Sequence, residues 1–406
     1  MAIKKVRIRP EGGNNYADIL HPETSADIVK FSDGTTVEAH KADGSAHSKT
    51  ARFVVGTSTA GWTSKDCDYL CDGIADQVEI IQALNDLPAT GGEVVILDGT
   101  YNIMASINIP KNNVSIRGSG NATTLKRMYN STSDNSGHTA RGLITLNEKS
   151  GCKIQGLQID GNKATYTASY NYGIYLRSSS NNMITGNTCN NNSYGIYLIS
   201  SDNNNITGNT CYNNNYGIHL SSSSNNNITG NTCYNNINGI YLSSSSNNTI
   251  TGNTCNNNNS YGIYLISSDN NNITGNTCYN NNYGIHLYSY NNNNTVTVNT
   301  CNNNRDGIYL SSSNNNTITG NTCYNNINGI YLSSSSNNTI TGNTCIRGTG
   351  TPEDYTTNQH TILLSSTANN YNLISSNNCM GKAVVISGGT GNSAWGNKFD
   401  NTDDLP

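Results

Sequence analysis

Between Gly173 and Cys345 the chain repeats one phrase, roughly N-I-T-G-N-T-C-x-N-N-x-x-G-I-Y-L-x-S-S-S-N-N. The marker cysteines Cys189, Cys211, Cys233, Cys255, Cys278, Cys301, Cys323 and Cys345 fall 22, 22, 22, 23, 23, 22 and 22 residues apart. Gly173, Gly195, Gly217, Gly239, Gly262, Gly284, Gly307 and Gly329 keep the same beat. A fixed period of this length is the signature of a solenoid, in which each unit buries its apolar side only by stacking on the next. Residues 231–255 recur unchanged at 321–345, and residues 195–220 at 262–287. Coils have thus been copied in groups, and their number can change without breaking the fold.

Each unit is too short for a strand–helix pair and too polar for helices. It holds three strand-like pieces, such as Gly217 to Leu220, Asn227 to Thr229 and Asn231 to Cys233. Alternation at period two turns Ile218, Leu220, Ile228, Asn231 and Cys233 inward, and His219, Thr229 and Thr232 outward. Asn, Ser and Gly between them suit tight bends, because Gly and Asn tolerate positive φ. Three strands and three bends make one turn of a parallel β-helix, with each coil hydrogen-bonded to the next at about 4.8 Å.

The repeat resembles the coils of the right-handed, single-stranded parallel β-helix of the pectate lyase-like superfamily, with the pattern N-x-I-x-G-N-x-x-x-x-N-x-x-G-I-x-L. Such coils also occur in periplasmic copper-associated proteins, sugar epimerases and phage tailspikes. The resemblance implies an all-β fold with three strands per coil of 22–23 residues. It does not choose among lyase, hydrolase, epimerase and scaffold, because sites are grafted onto folds.

Composition narrows the classes further. Charged residues make up 12 %, the net charge is −4, and only 22 residues are Lys or Arg. Such a balance argues against nucleic acid as a partner. No stretch is long and apolar enough to enter a membrane, and the start Met1-Ala2-Ile3-Lys4-Lys5 is not followed by a signal-peptide core. Eight of the 12 cysteines form one inward column, where a thiol serves as a small buried hydrophobe rather than a disulfide partner. Cys67 and Cys71 stand outside that column without a second Cys or His pair, so neither a metal nor a cofactor is expected.

Five segments follow in order. Residues 1–50 carry Tyr16 to Asp27 (Y-A-D-I-L-H-P-E-T-S-A-D) and Asp33 to His40 (D-G-T-T-V-E-A-H), then a linker-like run from Ala42 to Thr50. These phrases resemble the N-terminal segment of tail-fibre and baseplate-associated proteins of phages and prophages. That resemblance implies attachment to a tail or baseplate protein and location in a virion or tail-like particle. Residues 51–101 resemble the N-terminal cap of the superfamily: a helix from Gln77 to Leu87 with Val78, Ile80, Ile81 and Leu84 turned to the core, a capping-box-like Asp76 and Glu79, and Gly91 to Tyr101 as the first coil. Residues 102–172 are irregular early coils, with a polar insertion from Tyr129 to Arg141. Residues 173–345 are the regular repeats. Residues 346–406 hold an insertion, the last coils and an acidic tail.

Three outward columns mark the regular coils. One is Tyr175, Tyr197, His219, Tyr241, Tyr264, His286, Tyr309 and Tyr331, flanked by Tyr172, Tyr194, Tyr216, Tyr261 and Tyr283 just before the glycine. Tyrosine offers a flat apolar face and a polar tip, suited to sugar rings, to a subunit interface, or to self-stacking. The other two columns, Thr207 to Thr341 and Thr210 to Thr344, resemble threonine arrays of ice-binding proteins, but the Gly-Asn between them places them across a bend. Inward Asn209, Asn231, Asn253, Asn276, Asn299, Asn321 and Asn343 are expected to form an amide ladder.

Catalysis needs converging acids. From Gly173 to Cys345 the carboxylates are Asp202, Asp269 and Asp306. The first two stand three coils apart, about 14 Å, and Arg305-Asp306 reads as a solvated bend. The insertion from Ile346 to His360 breaks the rhythm and supplies the catalytic candidates Glu353, Asp354 and His360. The reading that results is a phage or tail-like fibre or spike, a rigid adhesin or shaft contacting bacterial surface polysaccharide. By its resemblance to phage relatives it is a homotrimer. A polysaccharide depolymerase is the alternative.

Overall fold

The computed structural model describes residues 4–8, 17–21, 51–132, 141–348, 359–381 and 384–399. The chain divides into two units, Met1–Ala51 and Arg52–Pro406. In the first, Lys4–Ile8 and Ala17–His21 form an antiparallel pair with Val6 in register with Ile19. The linker-like run and the phrase from Asp33 to His40 lie outside the described residues.

The second unit is a right-handed parallel β-helix. A regular coil contributes three strands, as in Tyr216–Ser221, Asn227–Thr229 and Thr232–Tyr234. First strands stack coil upon coil into a parallel twelve-stranded sheet. Second and third strands pair in the same way, so that Ile218 meets Ile240, Ile228 meets Ile250, and Cys211 meets Cys233. The axis is filled by Ile, Leu and Cys side chains with no exposed surface. Removing each Ile or Leu from water contributes about 1.5–3 kcal/mol, and a ladder of like residues lets every coil use the same rotamers.

Glycine as the second residue of the first strand has a steric cause. A Cβ on Gly217 would stand 2.6 Å from the carbonyl oxygen of Gly239 in the next coil. A second glycine column answers to conformation instead: Gly275 and Gly320 turn the chain at φ 64° and 66°. Between them the same bend is made by Val298 at φ 57°, with 60 % of its surface exposed. A left-handed β-branched residue costs about 1–2 kcal/mol, partly offset because glycine has more freedom to lose on folding. Val298→Gly should therefore raise stability by about 0.5–1 kcal/mol, seen as a higher urea midpoint. An unchanged or lower midpoint would show that the valine is not strained.

The helix α1 (Gln77–Asp86) closes the N-terminal end of the solenoid, against strands Arg52–Thr57 and Tyr69–Cys71. It ends one residue before the expected Leu87, which turns extended (ψ 152°) ahead of Pro88. Its buried residues are Gln77, Ile80, Ala83 and Leu84. Val78, expected in the core, is 55 % exposed, because the inward stripe is set by Ile80 and Leu84. The capping box is absent as well: Asp76 makes no side-chain cap bond. Its carboxylate instead accepts the backbone N–H groups of Gly73 at 2.8 Å and Asn102 at 2.7 Å, tying the cap to the first coil.

Candidate functional site

The asparagine ladder forms, and it has companions that the repeat phrase did not reveal. Asn231 Nδ2 donates to Asn253 Oδ1 at 3.0 Å and to the Ile206 carbonyl at 2.8 Å, while its backbone N–H also donates to Asn253 Oδ1. Two further asparagine ladders run through Asn204, Asn226 and Asn248 and through Asn192, Asn214 and Asn236, with a serine ladder through Ser201, Ser223 and Ser245. All lie in the bends and satisfy backbone groups that water cannot reach. They are internal, and offer a ligand nothing.

The thiol column is equally closed. Cys189 through Cys345 and Cys379 have no exposed surface and no disulfide. Contact with Cys189 and Cys233, together with burial, holds the Cys211 thiol well above the usual thiol range. Burial pushes Cys379 up to about 11.

The outer face of the twelve-stranded sheet differs from these. Its rings stack along the solenoid axis: Tyr194 on Tyr216 at 4.6 Å between centroids, Tyr241 on Tyr264 at 5.0 Å, and Tyr309 on Tyr331 at 4.6 Å, with planes 8° apart in each pair. The two columns also touch sideways, as Tyr261 does Tyr264 at 4.2 Å. Ring faces are thus occupied by other rings, and what this wall turns outward is ring edges and hydroxyls. One consequence corrects the expectation of exposure. Tyr175, His219 and His286 are only 1 %, 8 % and 5 % exposed, because neighbouring tyrosines cover them. Burial lifts Tyr175 to about 12 and lowers both histidines to about 3. Neither ring nitrogen of either histidine has a hydrogen-bond partner.

The flanking column changes character toward the C-terminal end. Tyr283, Asp306, Asn328 and His360 occupy one register position on four successive coils. Asp306 is not a solvated bend: it opens the strand Asp306–Ser311, and its side chain is 1 % exposed. Asn328 Nδ2 donates to Asp306 Oδ1 at 2.5 Å, and His360 Nδ1 lies 3.0 Å from Asn328 Oδ1. Asp306 Oδ2 has no hydrogen-bond partner and stands 3.9 Å from Arg305 Nε. Burial raises the Asp306 carboxyl, opposed by the bond from Asn328 and by the Arg305 charge. Arg305, 55 % exposed, donates from Nη1 to the Tyr283 hydroxyl at 3.2 Å. Asp306 and Asn328 were not singled out as functional in the sequence, although both break the tyrosine column. Of the catalytic candidates, His360 begins the strand His360–Leu364, whereas Glu353 and Asp354 lie outside the described residues. Asp202 gives its carboxylate to the Ser224 N–H, and Asp269 to the Asn292 N–H, each a bend-to-bend tie.

Comparison with known proteins agrees with this architecture. The family model described as periplasmic copper-binding protein (NosD) matches residues 90–303, and that of the right handed beta helix region matches residues 260–402. No curated protein matches. Among solved structures, the Azotobacter vinelandii mannuronan C-5 epimerase AlgE4 A-module is similar at 19 % identity and TM-score 0.63, over 86 % of this chain and 100 % of that one. The DFA-IIIase of Arthrobacter chlorophenolicus A6 without its lid is similar at 14 % identity and TM-score 0.57, over 74 % and 90 %. At these identities the likeness is one of fold.

Proposed function

The chain belongs to the family described as periplasmic copper-binding protein (NosD), and from that premise we propose that its β-helix is a rigid, glycan-contacting shaft, the fibre or spike of a phage or tail-like particle. The observation that carries the reading is the ring wall, a row of tyrosine edges and hydroxyls at one-coil spacing along the regular repeats. A hydroxyl row of fixed pitch suits a ligand that is itself a repeating, hydroxyl-rich polymer, held by many hydrogen bonds of modest strength. The proposal includes assembly as a homotrimer and attachment through residues 1–50 to a tail or baseplate protein.

Copper does not fit this chain's described residues. Apart from the partly exposed Cys67 the thiols are buried, His219 and His286 are enclosed by rings, and Cys71, Asp76 and Glu79 form the lone ligand-like cluster among the described residues. In that cluster Asp76 already serves two backbone donors at the start of α1, whose positive end disfavours a cation. No step is assigned to a metal.

The depolymerase reading draws on one observation, the break in coil rhythm beside His360. Incubating the purified chain with host envelope polysaccharide, and measuring both retention and polymer length, separates the two. Retention without shortening is expected. Shortened chains would establish a depolymerase, and neither effect would leave a shaft that binds no glycan.

A further inference from the structure

Resting on that glycan-contacting reading, we propose that the N-terminal end of the ring wall is a discrete site for an acidic sugar, carboxylated or phosphate-bearing, whose oxyanion meets the guanidinium of Arg141. Two departures from the repeat converge there. Eleven residues separate Asp160 from Tyr172, against three between Asn190 and Tyr194. This longer bend is tied to that of the preceding coil: the Ser131 N–H donates to Asn171 Oδ1 at 2.8 Å, and Asn171 Nδ2 to Asn130 Oδ1 at 3.1 Å. The stack of near-parallel rings ends at the same place, with Tyr172 turned 80° from Tyr194. Half-buried Arg141 closes the end, its guanidinium 4.6 Å from the ring centre of Tyr170. Burial raises the hydroxyls of Tyr172, Tyr175 and Tyr197, and the Arg141 charge is among the groups that oppose the rise.

What this end lacks is a counter-charge. Arg127 has no exposed surface, yet its guanidinium donates only to neutral oxygens: Ser131 Oγ and the carbonyls of Arg141 and Tyr172. The Nε of Arg127 and that of Arg141 have no partner at all. Among the described residues no carboxylate pairs with either arginine. The acids of these coils are engaged elsewhere. Glu148 stands 3.8 Å from Arg177, and Asp160 Oδ1 accepts from the Asn162 N–H and the Asn191 amide. Lys163, on the longer bend, likewise donates to the neutral Asn215 Oδ1. Burying cations without an acid costs stability, and their summed field draws an anion. Arg305 supplies the comparison within the chain, since it holds the same place before its strand that Arg141 holds before its own. There the next residue is Asp306, whose Oδ2 stands 3.9 Å from Arg305 Nε; after Arg141 the next residue is Gly142. A planar guanidinium on an aromatic face, without an acid of its own, suits an oxyanion from outside. The tyrosine hydroxyls then take the neutral sugars that follow, so the acid fixes where the polymer begins along the wall.

The test uses the full chain and three polymers: a carboxylated bacterial envelope polysaccharide, the same polymer after carboxyl reduction, and a phosphodiester-linked glycan. At least one anionic polymer should be held more tightly than the reduced one, and the better held of the two names the acid. Arg141→Gln should weaken its retention about tenfold, the worth of one charge-assisted contact. Arg305→Gln, whose charge already faces Asp306, should leave retention unchanged. The native chain gives a second readout that does not depend on a variant folding. The 15N–1H resonance of Arg141 Nε should shift when the anionic polymer is added, and that of Arg305 Nε should not. Equal retention of neutral and anionic polymers, equal effects of Arg141→Gln and Arg305→Gln, or an unmoved Arg141 resonance overturns the site while leaving the glycan reading intact. Retention of none of the three polymers overturns both.

Discussion

Asn253→Ala should cost about 2–6 kcal/mol, the sum of two buried groups left without this partner at about 1–3 kcal/mol each. Asn253 is 1 % exposed and sits mid-ladder. Its Oδ1 accepts from the Asn231 backbone N–H at 2.9 Å and from Asn231 Nδ2 at 3.0 Å. Its Nδ2 donates to the Ile228 carbonyl at 2.8 Å and to Asn276 Oδ1 at 2.9 Å. Alanine strands the Asn231 backbone N–H and takes the amide from the Ile228 carbonyl, and it leaves Asn231 Nδ2 with its bond to the Ile206 carbonyl alone. The loss also interrupts a polarised chain running through the bends of successive coils, and such chains strengthen bond by bond. Asn225→Gly, at an exposed left-handed bend with φ 57°, is the control and should stay within about 0.5 kcal/mol. Comparison of urea midpoints decides it. If Asn253→Ala shifts no more than the control, the ladder contributes no net stability. A separate early transition in the variant would mean that the solenoid opens at the cut, as repeat arrays can.

The fold was legible because a solenoid writes its architecture into one period. Ile218, Leu220, Ile228, Asn231 and Cys233 were placed inward by alternation alone, and all five are buried. What alternation cannot give is how neighbouring outward residues treat one another. It set His219 outward, which is correct for the backbone, yet the side chain is buried because Tyr194, Tyr216 and Tyr241 lie across it. The same blindness turned Asp306 into a surface bend. Its burial depends on Tyr283 one coil before and Asn328 one coil after, contacts about 22 residues away that no local pattern reports. The extra asparagine ladders escaped for a different reason. In N-N runs the inward and the left-handed asparagine look alike, and only the fold separates buried Asn226 from exposed Asn225. His360 was found by the break in rhythm, but its contact with Asn328 was not, since Asn328 belongs to a regular coil.

The paired histidines should make the protein acid-sensitive in a defined window. In the unfolded chain a histidine titrates at about 6.5; in the fold, burial lowers His219 and His286 to about 3. Above pH 6.5 both states are neutral and the histidines leave stability unchanged. Between 6.5 and 3 the unfolded chain binds protons that the fold refuses, so stability falls as pH falls, and below 3 the difference is constant. Each histidine contributes a slope of about 1.4 kcal/mol per pH unit. At pH 5 the two together should cost about 4 kcal/mol. The groups facing His219 are Tyr194, Tyr197, Tyr216 and Tyr241, and those facing His286 are Tyr261, Tyr264, Tyr283, Tyr288 and Tyr309. None carries a negative charge in this range to hold an imidazolium in place. Tyrosine occupies the same position in the adjoining coils, so His219→Tyr with His286→Tyr keeps the stack and removes the titration. Urea midpoints of the native chain should drop between pH 7 and pH 5 while those of the double variant hold nearly level. Parallel curves for the two proteins would mean that the imidazoles reach water on protonation, and that the ring wall yields at His219 and His286 without loss of the fold.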